Sequence, residues 1–147
     1  MTTGTTVGAV AGIWMFPVKS MKGTRLQQGE FTERGLLGDR TYALIDVETG
    51  KVASAKSVRM FPDLFQCKAT FAEPPELERE LPPVQISLPG GTTVTSDSPD
   101  VDQVLSAFFG RDVTLARADP AGMRIRFRRV CIHRRCRGAR VIGITGG

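Results

Sequence analysis

The chain has 147 residues, of which 41% are hydrophobic and 24% charged, enough for one ordinary globular core and too few for two comfortable ones. Its formal net charge of +5 arises from 20 Lys and Arg against 15 Asp and Glu, yet residues 1–122 hold 12 basic and 15 acidic groups while residues 123–147 hold 8 Arg and no acid. The basic excess therefore belongs to a tail and does not mark the whole chain as a nucleic-acid binder. No apolar stretch approaches the roughly 20 residues of a membrane span. The opening MTTGTTVGAVAG has no Lys or Arg ahead of its apolar run, against a secretory signal. Three cysteines (Cys67, Cys131, Cys136) at no disulfide-framework spacing fit a reducing compartment, so a cytoplasmic protein without a membrane partner is expected.

Branched and aromatic residues gather in short runs bounded by Gly, Asp and Pro, the pattern of strands joined by tight turns. The leading run is Val7 to Val18, and a second segment lies around Arg25 to Phe31. Thr41 to Val47 faces Val52 to Ala55 across Glu48-Thr49-Gly50-Lys51, a hairpin in which Gly50 takes the positive φ of the reversal. A further strand is predicted over about Phe65 to Phe71. Pro74-Pro75 and Pro82-Pro83 then bracket the acidic ELERE segment, Glu76 to Glu80, read as an exposed loop with one helical turn. Val84 to Leu88 and Thr92 to Thr95 form a hairpin about Pro89-Gly90-Gly91.

The one persuasive helix runs near Pro99 to Phe109. Ser98 is a capping residue, Asp100 and Asp102 suit the positive helix start, Val101, Val104, Leu105 and Phe108 mark an apolar face, and Gly110 stops it. Asp112 to Ala116 returns as a strand. The fold class expected is mainly β: a small β-barrel or sandwich with one α-helix near the C-terminal end. The domain comprises residues 1–122, followed by the Arg-rich tail 123–147.

The segment Ile13 to Gly23 (IWMFPVKSMKG), followed by Gly35-Leu36-Leu37-Gly38-Asp39-Arg40-Thr41-Tyr42, holds the most chemistry. Pro17 ends a strand, Lys19 and Ser20 project from the loop, and Arg40 opens the next long strand. An ammonium, a hydroxyl, free backbone N–H groups and a guanidinium fork are the parts of an anion site, above all for phosphate. From chemistry alone a Lys-Ser after a strand is more often a solvated loop, and Arg40 has an alternative partner in Asp39.

With the added element Arg59-Met60-Phe61-Pro62, these motifs in this order resemble the N-terminal β-barrel domain that precedes the molybdenum cofactor sulfurase C-terminal (MOSC) domain, as in the mitochondrial amidoxime-reducing component and its bacterial relatives. The resemblance covers roughly residues 8–117. It implies a two-part protein that holds the molybdenum cofactor, a molybdopterin, between barrel and MOSC half. In that family the Lys-Ser of the first loop and the Arg of the Asp-Arg element contact the pterin phosphate, here Lys19, Ser20 and Arg40. The MOSC catalytic half supplies the thiolate ligand of the metal, on which reductase chemistry toward N-hydroxylated compounds rests, and a redox partner is implied. No catalytic or metal-ligating residue carries over to this chain.

The rest of the chain departs from that pattern. Only about 30 residues follow Ala116, and they do not read as the start of a MOSC half. Cys67, in an apolar strand context, is expected to be a buried inert thiol. Cys131, His133 and Cys136 lie within six residues but lack zinc spacing and a fourth ligand, among Arg side chains that oppose a dication. The tail holds a single aromatic residue and no recognisable module, so specific nucleic-acid binding is not expected, although weak salt-dependent binding is an alternative. Its abrupt change of composition resembles a shifted reading frame of GC-rich DNA. A truncated or frameshifted product, inactive alone, is thus the expectation, against a native short protein with a basic arm. A stand-alone anion- or partner-binding module is the other functional alternative.

Overall fold

The computed structural model describes residues 4–57 and 59–118, together with the backbone of Ile125 and Arg126. Ten short strands and one helix fill this span: β1 (Ile13–Met15), β2 (Thr24–Leu26), β3 (Phe31–Thr32), β4 (Gly35–Leu36), β5 (Tyr42–Asp46), β6 (Lys68–Phe71), β7 (Val84–Ser87), β8 (Thr93–Thr95), α1 (Val101–Phe109), β9 (Val113–Ala118) and β10 (Ile125–Arg126). The protein is mainly β, as its sequence predicts. The strands form two hairpins, β1–β2 and β3–β4, and two three-stranded sheets, β10–β9–β5 and β6–β7–β8. Isolated bridges Val18↔Tyr42 and Lys22↔Lys68 suture these sheets, and among the described residues the ladders do not close into a barrel.

β5 and β9 make the longest ladder, antiparallel from Tyr42↔Arg117 to Asp46↔Val113. Leu44 faces Leu115 within it, and Leu105 of α1 closes over them; Leu44 and Leu105 are wholly buried. Burying one such side chain contributes about 1.5–3 kcal/mol. The second half of the core comes from β6 and β7, whose Ala69, Val84 and Ile86 point inward while Lys68 and Gln85 point out, the period-two alternation of a half-buried sheet. Phe61, from the Arg59–Pro62 element, meets Phe109 edge to face at 5.6 Å between ring centres.

The helix buries Val101 and Leu105, one turn apart, and ends on Gly110 at φ +64°, the left-handed cap that glycine takes without a Cβ penalty. Its polar side chains do sheet work. β9 pairs with β5 through one edge, and over Val113 to Leu115 the other edge meets α1. There Asp102 accepts hydrogen bonds from the Leu115 N–H and the Thr114 hydroxyl, both 2.8 Å, and Ser106 Oγ accepts from the Val113 N–H at 3.0 Å. Strand donors that would otherwise be buried without a partner are thereby satisfied. The helix starts at Val101 rather than Pro99, and the Ser98 hydroxyl donates to the Asp100 carboxylate. No helix among the described residues is long and apolar enough to cross a membrane.

Several elements differ from expectation. Of the Val7 to Val18 run only Ile13–Met15 is strand; Val7 is 97% and Val10 81% exposed, because no strand among the described residues offers that segment a ladder. The predicted strand over Phe65 to Phe71 begins with a 3₁₀ turn, Leu64–Gln66, and extends only from Lys68. The ELERE segment makes a turn without a helix. The hairpin after β5 forms with Gly50 at φ +68°, but its return strand is a single bridge, Ile45↔Val52. Cys131, His133 and Cys136, expected not to bind zinc, and the reading of the tail as shifted or native lie outside the described residues.

Candidate anion-binding site

Pro17 ends β1, and the chain then reverses in a turn closed by the Met21 N–H on the Val18 carbonyl at 3.3 Å, with Lys19 and Ser20 at its centre. Both corners are anchored inside, since Val18 is 0% and Met21 3% exposed. The flanks of the turn are paired on two sides. Toward β5, Lys19 N–H donates to the Tyr42 carbonyl (2.9 Å), Tyr42 N–H to Pro17 (2.9 Å) and Arg40 N–H to Phe16 (2.7 Å). Toward β6, Lys22 N–H donates to Cys67 (2.8 Å) and Ala69 N–H to Lys22 (3.0 Å). The Lys-Ser turn is therefore a rigid seam between the two sheets.

Two of the three expected site residues have left-handed backbone: Ser20 at φ +65° and Arg40 at φ +50°. Non-glycine residues in this region cost of order 1–3 kcal/mol and persist where surrounding bonds over-determine them. Here the backbone bonds of Lys19, Met21 and Arg40 do so. The Asp39 carboxylate adds a latch, accepting the Phe16 N–H at 2.9 Å through Oδ1. Its other oxygen lies 3.9 Å from Arg40 Nε, a long contact that leaves the guanidinium side chain 70% exposed. Lys19 is exposed and makes no ion pair with a described residue. The ladder thus places Lys19 and Arg40, 21 positions apart in sequence, on adjoining backbone segments with their cations turned to solvent.

The register sets Lys22 opposite Lys68, positions 46 residues apart in sequence, and no local signal marks that pairing. Sequence reasoning missed a groove of about 800 Å³ walled by Met15, Pro17, Leu26, Leu37, Phe71 and Pro75, in which the Thr24 hydroxyl is buried without a hydrogen-bond partner among the described residues. Lys19, Ser20 and Arg40 do not line it.

Elsewhere the chemistry is structural. Cys67 is fully buried with its Sγ 3.4 Å from the Asp63 carbonyl, and burial, reinforced by the Asp63 charge, pushes its thiol up to about 11. Asp46 is 1% exposed; burial opposes its ionisation, but hydrogen bonds from Thr49 and Arg111 and the Arg111 charge outweigh that and hold its carboxyl below the usual range. Arg111 also stands 5.9 Å over the Phe61 ring, so this pair braces the core beneath α1. Among the described residues no three His, Cys, Asp or Glu side chains gather as a metal site.

The family model described as MOSC N-terminal beta barrel domain matches residues 7–123, most of the chain. No curated protein and no solved structure matches it.

Proposed function

The chain belongs to the MOSC N-terminal beta barrel domain family, and from that premise we propose that it forms the cofactor-holding β half of a molybdenum-cofactor protein, with Lys19, Ser20 and Arg40 contacting the phosphate of the molybdopterin. The observation that carries this reading is the backbone seam that sets the Val18 to Met21 turn beside Arg40, with Ser20 and Arg40 both held in left-handed conformations. The donor set suits a phosphate: a point charge from Lys19, a directional hydroxyl from Ser20, and a two-pronged fork from Arg40 whose contact with Asp39 is long. Among the described residues the one thiol, Cys67, is buried in the core, away from this donor set.

The reading therefore assigns this chain the binding and orientation of the cofactor, and the metal-ligating thiolate to a MOSC catalytic half. When bound, the metal supplies the redox chemistry of an oxidoreductase or sulfur-handling protein, with a redox partner delivering the electrons. The resident groups neutralise phosphate charge and fix the pterin end of the ligand.

The test titrates inorganic phosphate into the full chain at constant ionic strength, following backbone amides by NMR. Shifts concentrated at Val18 to Lys22 and Asp39 to Tyr42, and an affinity about tenfold weaker in Lys19→Ala and in Arg40→Ala, are expected from the loss of one charge-assisted contact. Equal phosphate affinity in wild type and both variants would refute the assignment.

A further inference from the structure

The groove beside Thr24 exists because two strands stop meeting. Among the described residues β2 forms a ladder only with β1, and β6 only with β7; their facing edges touch at the single parallel bridge Lys22↔Lys68 and then part around the groove. Because that bridge is parallel, positions equally far beyond it lie level on the two walls: Thr24 with Thr70 nearest the bridge, then Leu26 with Ala72, and Glu73 after that. At the far end the Glu30 carboxylate accepts the Leu77 N–H at 2.9 Å, a strap between segments 47 residues apart. Phe71 and Pro75 press on Gly38, where an added Cβ would fall 2.7 Å from the Phe71 ring, so this wall is firmly seated.

The two ends differ in chemistry. At the bridge end the Thr24 hydroxyl is buried with no hydrogen-bond partner among the described residues, an arrangement that costs stability. The middle is apolar, from Met15, Leu26, Leu37 and Phe71. Toward the strap stand three carboxylates, Glu30, Glu73 and Glu76, and no Lys, Arg or His lines the groove. Glu76 is offset by Arg79 at 3.0 Å and Glu30 is engaged by Leu77, while Glu73 makes no ion pair with a described residue. Three positions separate Thr70 from Glu73, roughly 10 Å at about 3.3 Å per residue, which spans one six-membered ring with a short substituent at each end. The volume of about 800 Å³ lies in the range of small-molecule sites.

We propose that this groove binds a small organic cation: a ring-sized apolar body with an ammonium at one end, held by Glu73 beside Glu30, and a hydroxyl at the other, paired with the Thr24 hydroxyl. Charge complementarity selects the cation, and the orphaned hydroxyl selects the polar far end. Met15, the cross-strand partner of Thr24, is the flexible side chain that yields for a ligand atom to reach it. The groove shares Pro17 with the flank of the Lys19–Ser20 turn but contains none of Lys19, Ser20 and Arg40, so it stands apart from the phosphate reading.

Calorimetric titration of the full chain at fixed pH and low ionic strength tests it with three probes: tyramine, phenethylamine, which lacks the hydroxyl, and 4-ethylphenol, which lacks the ammonium. Tyramine is expected to bind about tenfold more tightly than either. Thr24→Val, close to isosteric, should bring tyramine down to the affinity of phenethylamine while the melting midpoint stays at or above that of wild type, because an unsatisfied buried hydroxyl has been removed. Glu73→Gln should weaken tyramine and phenethylamine about threefold and leave 4-ethylphenol unchanged. Lys19→Ala should alter none of the three, so that failure of the phosphate reading and failure of this one are told apart. Absence of saturable tyramine binding, equal affinity for tyramine and 4-ethylphenol, or tyramine binding unchanged in Thr24→Val overturns the proposal.

Discussion

Replacing Gly23 by Ala tests the geometry that holds the Lys-Ser turn in place. Gly23 lies between Lys22 and β2 and has no positive φ, so the substitution asks nothing unusual of its own backbone. The cost is steric. A Cβ there would fall 2.1 Å from the Met15 carbonyl oxygen, 2.9 Å from the Met15 carbonyl carbon and 2.7 Å from Phe16 Cδ1. The Phe16 ring can turn away, but the Met15 carbonyl belongs to a strand residue paired with Thr24, so the β1–β2 hairpin must open by roughly an ångström. Overpacking against backbone sits at the upper end of the usual range, about 3 kcal/mol. For a chain of this size that lowers the melting midpoint by roughly 10 °C.

Gly12→Ala is the matched control. Its Cβ would meet nothing closer than Arg25 side-chain atoms at 3.7 Å, an ordinary contact, and the loss of unfolded-state freedom leaves it neutral or stabilising by about 0.4–1 kcal/mol. Urea denaturation with a common m-value reads both variants. A Gly23→Ala midpoint indistinguishable from that of Gly12→Ala would show that the hairpin does not hold the turn as described.

Two further outcomes are expected. The Asp46 carboxyl titrates below its ordinary value of 3.8, so the stability it contributes is complete above that value and is lost as pH falls through the lower, folded one. Asp46→Asn should therefore be less stable than wild type at neutral pH, with the gap closing at pH below about 4; a gap independent of pH would remove the Arg111 pairing as its cause. Cys67, buried and with its thiol raised to about 11, should resist alkylation by iodoacetamide at pH 8 in the folded chain and react on denaturation. Peptide mapping assigns the modified residue, and rapid labelling of Cys67 in the folded chain would contradict its burial.

Much of this architecture is written in local punctuation. Gly50 and Gly110 sit at positive φ where the hairpin and the helix stop require it, and the spacing of Val101 and Leu105 sets the buried face of α1. The Lys19–Ser20 turn was legible because Pro17 closes a strand just before it. The leading apolar run is strand only over its Ile13–Met15 part for a physical reason: a strand needs a partner edge, and the stretch from Val7 to Gly12 has none among the described residues, whatever its composition. Asp102 shows the same limit from the other side. Its place in the first helical turn is legible as a dipole preference, yet in the fold it caps strand donors of β9.

The sequence by itself determined a mainly β chain with one late helix, a family membership, and the chemical parts of a candidate anion site, since these follow from residue type, spacing and turn chemistry within a few positions. Only the tertiary structure decided that Lys19 and Arg40 share a backbone seam, that Lys22 stands against Lys68, and that Asp46 pairs with Arg111. Those relations depend on strand register between segments 21 to 65 residues apart, and register is fixed by which side chains the completed core can bury together.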